Sequence, residues 1–188
     1  PRPAAMMWNN FGVLAWRSGD LDAAAERFEL AMTHGERTGD LRAVGNAAAN
    51  AAMVLARRGD LRGAAEHYDR AVAHAERSGN RRMLARVLVN RAELDRVMGE
   101  FDRAEQDFQR SIRLADALDI SSTRWVARLD LALLFFELGQ VGRVATLLEH
   151  DSVTACPQAG RDVARLLALG CAAVRDDDGC RRTLLQSC

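Results

Sequence analysis

The feature that most constrains this chain is a repeat. Arg-Ser-Gly-Asp at 17–20, Arg-Arg-Gly-Asp at 57–60, Val-Met-Gly-Glu at 97–100 and Leu-Gly-Gln at 138–140 recur with a spacing of 40 residues. A fixed period of this length marks stacked units, each too small to bury its own apolar face and each completing its core against the next. No proline occurs between Pro3 and Pro157, and Ala, Leu, Arg and Glu dominate. Long helices are therefore uninterrupted, and an all-α chain is expected.

The phases within each unit predict a helical hairpin. Gly19, Gly59, Gly99 and Gly139 suit the left-handed position just past a helix end, and Asp20, Asp60, Glu100 or Gln140 follow at the start of the next helix. Small residues fall at Gly12, Ala52, Ala92 and Ala132 and at Ala24, Ala64 and Ala104. Large ones fall at Phe28, Tyr68, Phe108 and Leu148 and at Leu21, Leu61, Phe101 and Val141, which predicts a small-against-large interlock between hairpin partners. A second set of breaks, Thr38-Gly39-Asp40, Ser78-Gly79-Asn80 and Asp119 through Ser121-Ser122, separates the units and offers each next helix an amino-terminal cap. The expected A helices are 4–17, 41–57, 81–97 and 122–138, and the B helices 21–37, 61–77, 101–117 and 141–150. Residues 1–156 thus form four hairpins. Asp151-Ser152-Val153-Thr154 and Pro157 predict an early end to the last B helix. Residues 157–188 form a degenerate fifth hairpin or carboxy-terminal cap, with helices near 159–175 and 178–187.

Composition excludes several functions. Lys+Arg and Asp+Glu both number 26, so the chain has no basic footprint for nucleic acid or an anionic membrane. No apolar stretch approaches the roughly 20 residues of a membrane-spanning helix. Every basic residue is Arg, which removes the phosphate-loop lysine and the Schiff-base lysine. Cys156, Cys171, Cys180 and Cys188 lack a C-x-x-C pair and read as reduced, in a cytoplasmic protein. The start at Pro1-Arg2-Pro3, with no Met and no secretory profile, reads as a fragment or a processed chain.

Trp8, Phe11, Gly12, Ala24, Phe28 and Ala31 in the first unit, and Ala52, Leu55, Ala64, Tyr68 and Ala71 in the second, resemble the signature of the tetratricopeptide repeats. The usual unit of that family has about 34 residues and a Pro between units. The longer period here resembles the extended repeats of Leu-Gly-Asn polarity adaptors, kinesin light chains and bacterial peptide-pheromone receptors. It is similar also to repeat arms of bacterial signalling kinases and multidomain transcription regulators. The resemblance implies a right-handed α-solenoid whose A helices line a concave groove and whose job is to bind proteins.

Candidate binding residues share phases on the A helices. Asn10, Asn50 and Asn90 recur at one position, with Asp130 at the fourth, although Asn in mid-helix costs roughly half a kcal/mol against Ala. Each amide presents a donor and an acceptor together and can pair with the N–H and C=O of an extended peptide. Extended repeats in the resembled families use Asn at this phase in that way. Alternatively the amides bridge neighbouring A helices. Arg17 and Arg57, with Asn46 and Arg86, would make the groove locally cationic and suit a carboxylate in the ligand. Alternatively they are solvated charges. The carboxylate clamp of chaperone-binding members is not recoverable, because Val13 and Met53 stand where it wants polar groups.

In the fourth unit Val126, Leu129, Leu133 and Phe136 take the inner phases, while Leu131, Leu134, Phe135 and Leu138 supply the core. That inner apolar face is covered either by the carboxy-terminal segment or by an apolar ligand side chain, and Trp16 is a second candidate anchor. In the third unit Arg91 and Asp95 occupy normally apolar positions. They either form an ion bridge along the helix or both reach solvent.

No catalytic constellation, phosphate loop or cofactor motif is apparent. His67 and His74 are two turns apart and read as a solvated face rather than metal ligands. The chain therefore reads as a noncatalytic module that binds an extended peptide or flexible tail, with acidic residues in the partner. Alternatively it is the regulatory arm of a larger bacterial signalling enzyme or transcription regulator, acting through intramolecular or homotypic contacts.

Overall fold

The computed structural model describes residues 2–149. The described residues form α1 (Arg2–Ser18), α2 (Leu21–Thr38), α3 (Leu41–Arg57), α4 (Leu61–Arg77), α5 (Arg81–Met98), α6 (Phe101–Ala117), α7 (Ser121–Glu137) and α8 (Val141–Glu149). Each boundary falls within two residues of the expected one. The predicted fifth hairpin, the break at Asp151 to Pro157 and the four cysteines lie outside the described residues.

The chain divides into two compact units, Pro1–Asp107 and Phe108–Cys188. In the first, α2 packs on α1 and α3, α4 packs on α3 and α5, and α3 also touches α1 and α5. The A helices α1, α3 and α5 thus form one layer and the B helices another. In the second unit α7 packs on α8.

Capping explains the helix limits. Asp20, Asp40, Asp60 and Asn80 accept hydrogen bonds from the backbone N–H three residues on, at 2.9, 3.1, 2.9 and 3.2 Å. Each satisfies a donor that the first helical turn leaves open. Gly19, Gly59 and Gly99 have φ between 82 and 85°, where a side chain would be strained. Asp119 holds the same kind of turn without being glycine, at φ 49°. The expected cap of α7 by Asp119, Ser121 or Ser122 is corrected: Ile120 occupies the cap position, makes no side-chain cap hydrogen bond and is buried instead. That position serves packing rather than hydrogen bonding.

The interlock is present where it can be described. A Cβ added at Gly12 would stand 2.5 Å from Phe28 Cε1, so only glycine admits that ring. Ala52, Ala92 and Ala132 face the same requirement, and Phe28, Tyr68 and Phe108 are buried. Burial pushes the Tyr68 hydroxyl up to about 12. Phe101 and Leu138 depart from the expectation, being exposed at the ends of their helices.

Candidate functional site

The A-helix layer of the first unit brings the expected polar residues together and pairs several of them. Asn50 Nδ2 donates to Asn9 Oδ1 at 2.9 Å, joining α3 to α1. Arg86 donates through one guanidinium nitrogen to Asn46 Oδ1 at 3.3 Å, joining α5 to α3. The Arg57 guanidinium lies 5.1 Å from the centre of the Trp16 ring, a cation–π contact that again joins α3 to α1. Each link spans roughly one 40-residue period, because equal phases on successive A helices lie side by side.

These links consume only part of the bonding capacity. An amide has two donors and two acceptor lone pairs, so Asn50 keeps its carbonyl and one N–H, and the Asn9 bond fixes how they are aimed. Asn10 and Arg17 are exposed, and Asn90 is half-buried. Neither the Asn10 nor the Asn90 amide forms a hydrogen bond with the described residues. Beside the amides lies a polar cavity of about 530 Å³, lined by Met6 and Asn9 of α1, the cap Asp40, and Arg42 and Asn46 of α3, with Ala5 and Ala43 between them. Asn9, Met6 and Arg42 are missed by sequence reasoning. Asn9 has no counterpart in the repeat, since the same phase holds Ala49, Val89 and Leu129.

In the second unit Leu129 is buried, Leu133 and Asp130 are half-buried, and Val126 and Phe136 are exposed. A separate cleft of about 590 Å³ opens on the opposite stripe of α7, between α6 and α8. Leu131 and Phe135 form its floor, and Arg113, Arg128 and Arg143 line it.

Arg91 and Asp95 neither bridge each other nor reach solvent, and both expectations are corrected. Arg91 grips Asp107 with two hydrogen bonds, at 2.7 and 3.0 Å, and Asp69 with a third at 2.9 Å. Asp95 is only 1% exposed, and its Oδ2 lies 3.2 Å from Arg103 Nε without a directed hydrogen bond. Arg103 also bonds Asp69. Two cations therefore face three carboxylates across α4, α5 and α6. Burial is the largest cause that pushes Asp95 up to about 6; Asp107 and Asp69 add to it, while Arg103 and Arg91 oppose it. Burial works to lower Arg91, but the hydrogen bond and charge of Asp107, then those of Asp69, raise it above its ordinary value.

The solvated-face reading of His67 and His74 is corrected as well. Both rings are half-buried with Nδ1 sealed from solvent and unpaired, and burial lowers both below the usual imidazole range. His67 Nε2 lies 3.7 Å from Glu29. Among the described residues no group of three His, Cys, Asp or Glu could hold a metal ion, and no helix is long and apolar enough to cross a membrane.

Helical hairpins at a fixed period, with small-large interlocks and one continuous A layer in the first unit, define a tetratricopeptide-like α-solenoid module. The family model described as the MalT-like TPR region matches residues 4–166, and the chain belongs to that family. Solved structures agree on the fold. The nearly identical TPR-like repeats of a candidate kinesin light chain from Podosopora anserina superpose with a TM-score of 0.79 at 14% identity, covering 100% of this chain and 94% of that one. The apo form of RapI gives a TM-score of 0.77 at 10% identity, over 98% of this chain and 67% of the other. BtubC (BKLC) from P. vanneervenii gives 0.65 at 15% identity, over 98% and 88%. No curated protein matches the chain significantly. Such a family and fold point to protein–protein interaction or scaffolding and are typically noncatalytic.

Proposed function

We propose that the chain recognises an extended peptide or flexible tail of a partner protein in the cytoplasm, along the A-helix face of its first unit. The observation that carries this reading is a row of amides held by hydrogen bonds between neighbouring A helices: Asn50 is oriented by its bond to Asn9 and Asn46 by Arg86, with Asn9 and Asn46 both lining one polar cavity. An oriented amide pairs with a peptide bond at lower entropic cost than one that must be ordered on binding. Asn10 and Asn90 extend the row on either side, Arg17 and Arg86 offer charge to an acidic ligand residue, and Trp16 under Arg57 supplies an apolar edge. Asp130, Leu129, Leu133 and Phe136 continue the same phases in the second unit.

The test uses the two amides that make no hydrogen bond with the described residues. Substituting Asn10→Ala and Asn90→Ala together weakens a peptide selected from a displayed library at least tenfold, about 1.4 kcal/mol, with helicity and melting unchanged. Unchanged affinity rejects the reading. A second reading is a regulatory arm of a larger signalling enzyme or transcription regulator, acting through intramolecular or homotypic contacts. An open reading frame without a catalytic or DNA-binding domain would reject it.

A further inference from the structure

The first helix carries a second stripe, distinct from the row of amides. Ala4, Met7, Phe11 and Leu14 follow one another at spacings of three, four and three residues, which sets them along one narrow seam. Met7 is 46% exposed, Phe11 45% and Leu14 61%. The repeat shows how the same stripe is used elsewhere. One period on, Met7, Phe11 and Leu14 become Ala47, Ala51 and Val54, all buried; two periods on, Met7 and Leu14 become Val87 and Leu94, again buried. In those units a preceding B helix packs on the A helix, α2 on α3 and α4 on α5, whereas the neighbours of α1 are α2 and α3. The seam of α1 is thus a helix-packing surface on which, among the described residues, no helix is packed.

Its chemistry limits what can lie there. Phe11 stands edge-on to Trp8, with ring centres 5.9 Å apart at 67°, and the Arg27 guanidinium lies 5.5 Å from the centre of the Trp8 ring. The Phe11 ring is therefore held on its inner side and open on its outer one, an anchor ordered before any partner arrives. The helix contains no Asp or Glu, and between Arg2 and Arg17 it carries no charge. A charge laid on this seam would lose its water without gaining a partner, so the seam selects an uncharged apolar stripe. Spacings of three and four suit a second helix running alongside at a shallow angle.

The seam complements itself. Turned antiparallel about a two-fold axis, Ala4 of one copy meets Leu14 of the other, and Met7 meets Phe11. Small then stands against large, and a thioether against an aromatic ring, both favourable packing pairs. The two Arg17 side chains fall at opposite ends. A parallel pairing would instead bring Arg17 beside Arg17 and set each residue against its own copy.

We propose that α1 pairs antiparallel with α1 of a second copy of this chain, through Ala4, Met7, Phe11 and Leu14, to give a closed two-fold dimer. Both copies use the same patch, so association stops at two. One helix from each copy makes a contact at the small end of specific interfaces, so the dimer forms at micromolar rather than nanomolar concentration. The proposal goes beyond the peptide reading, which rests on the phase of Asn10, Asn50 and Asn90, and its failure leaves that reading in place.

Sedimentation equilibrium of the full chain across the micromolar range tests it, and a monomer–dimer equilibrium is expected. Met7→Glu and Phe11→Arg, both at exposed positions, should each weaken the dimer at least tenfold, with circular dichroism confirming wild-type helicity. Mixing the two variants in equal amounts should restore dimers, because the antiparallel seam sets the new carboxylate of one chain against the new guanidinium of the other and leaves the second crossing as Met7 on Phe11. Asn90→Ala should associate as the wild type does. A chain that stays monomeric would overturn the proposal, as expected if α1 instead receives the B helix of another hairpin. So would growth beyond the dimer, indifference to either seam variant, or a mixture that remains monomeric.

Discussion

Asp95 is a carboxylate held in a setting that disfavours its charge. It is sealed from solvent, and its ion contact with Arg103 is shared, because Arg103 also serves Asp69. With every group ionised, the cluster of Arg91, Arg103, Asp69, Asp95 and Asp107 holds one more negative charge than positive. Since folding raises the Asp95 value from 3.8 to about 6, the folded state binds its proton more tightly than the unfolded chain does. The resulting stability is fully present below about pH 4 and is lost as pH rises through 6. Asp95→Asn removes the surplus charge while leaving Arg103 with Asp69 and Arg91 with Asp107. The variant should be more stable than the wild type at pH 8, by on the order of 2 kcal/mol, since each tenfold change in proton affinity is worth about 1.4 kcal/mol. The advantage should shrink steadily between pH 7 and pH 4 in urea titrations. An advantage that is flat with pH would show that Asp95 is not the group being relieved.

Helix ends are where the repeat is most regular and where its exceptions show most clearly. Asp40 closes the start of α3 by accepting from Ala43 N–H at 3.1 Å, so Asp40→Ala should cost about 1 kcal/mol in denaturant unfolding. The corresponding position of α7 is Ile120, whose burial replaces the lost cap. No comparable loss is expected from Ser121→Ala, because no side-chain cap hydrogen bond is made there. The element boundaries are readable in the sequence because they depend on local chemistry: glycine where φ is positive, and Asp or Asn one residue later. Ile120 escapes such a reading because Asp119 and Ser121-Ser122 carry cap chemistry in their side chains without using it. The A-helix amides are readable as a row from their shared phase. The tie between Asn50 and Asn9 is not, because Asn9 breaks the period and its partner lies in the next unit.

Across the repeats, the same geometric slot is solved with different chemistry, and sequence phase predicts which residues meet there but not whether they satisfy one another. Arg91 and Asp95 stand out in the sequence because they interrupt an apolar pattern. Their partners Asp69, Arg103 and Asp107 do not, because a charge on a B helix looks like an ordinary solvated face. The structure makes Asp107 a buried anion held in a two-pronged grip. This distinction sets a contrast between single and combined substitutions. Arg91→Leu alone strands the buried Asp107 without its cation, and breaking a buried pair in this way costs about 3–5 kcal/mol. Arg91→Leu, Asp95→Phe and Asp107→Leu together install the set that the next unit uses at the same phases, and leave Arg103 paired with Asp69. Replacing a buried ion group by apolar residues of similar volume is often neutral or stabilising, by about 1–4 kcal/mol. The triple variant should therefore unfold at or above the wild-type urea midpoint, while Arg91→Leu falls well below it. If the triple variant is instead as unstable as the single one, the two slots are not interchangeable, and packing around each cluster is specific to its own pair of hairpins.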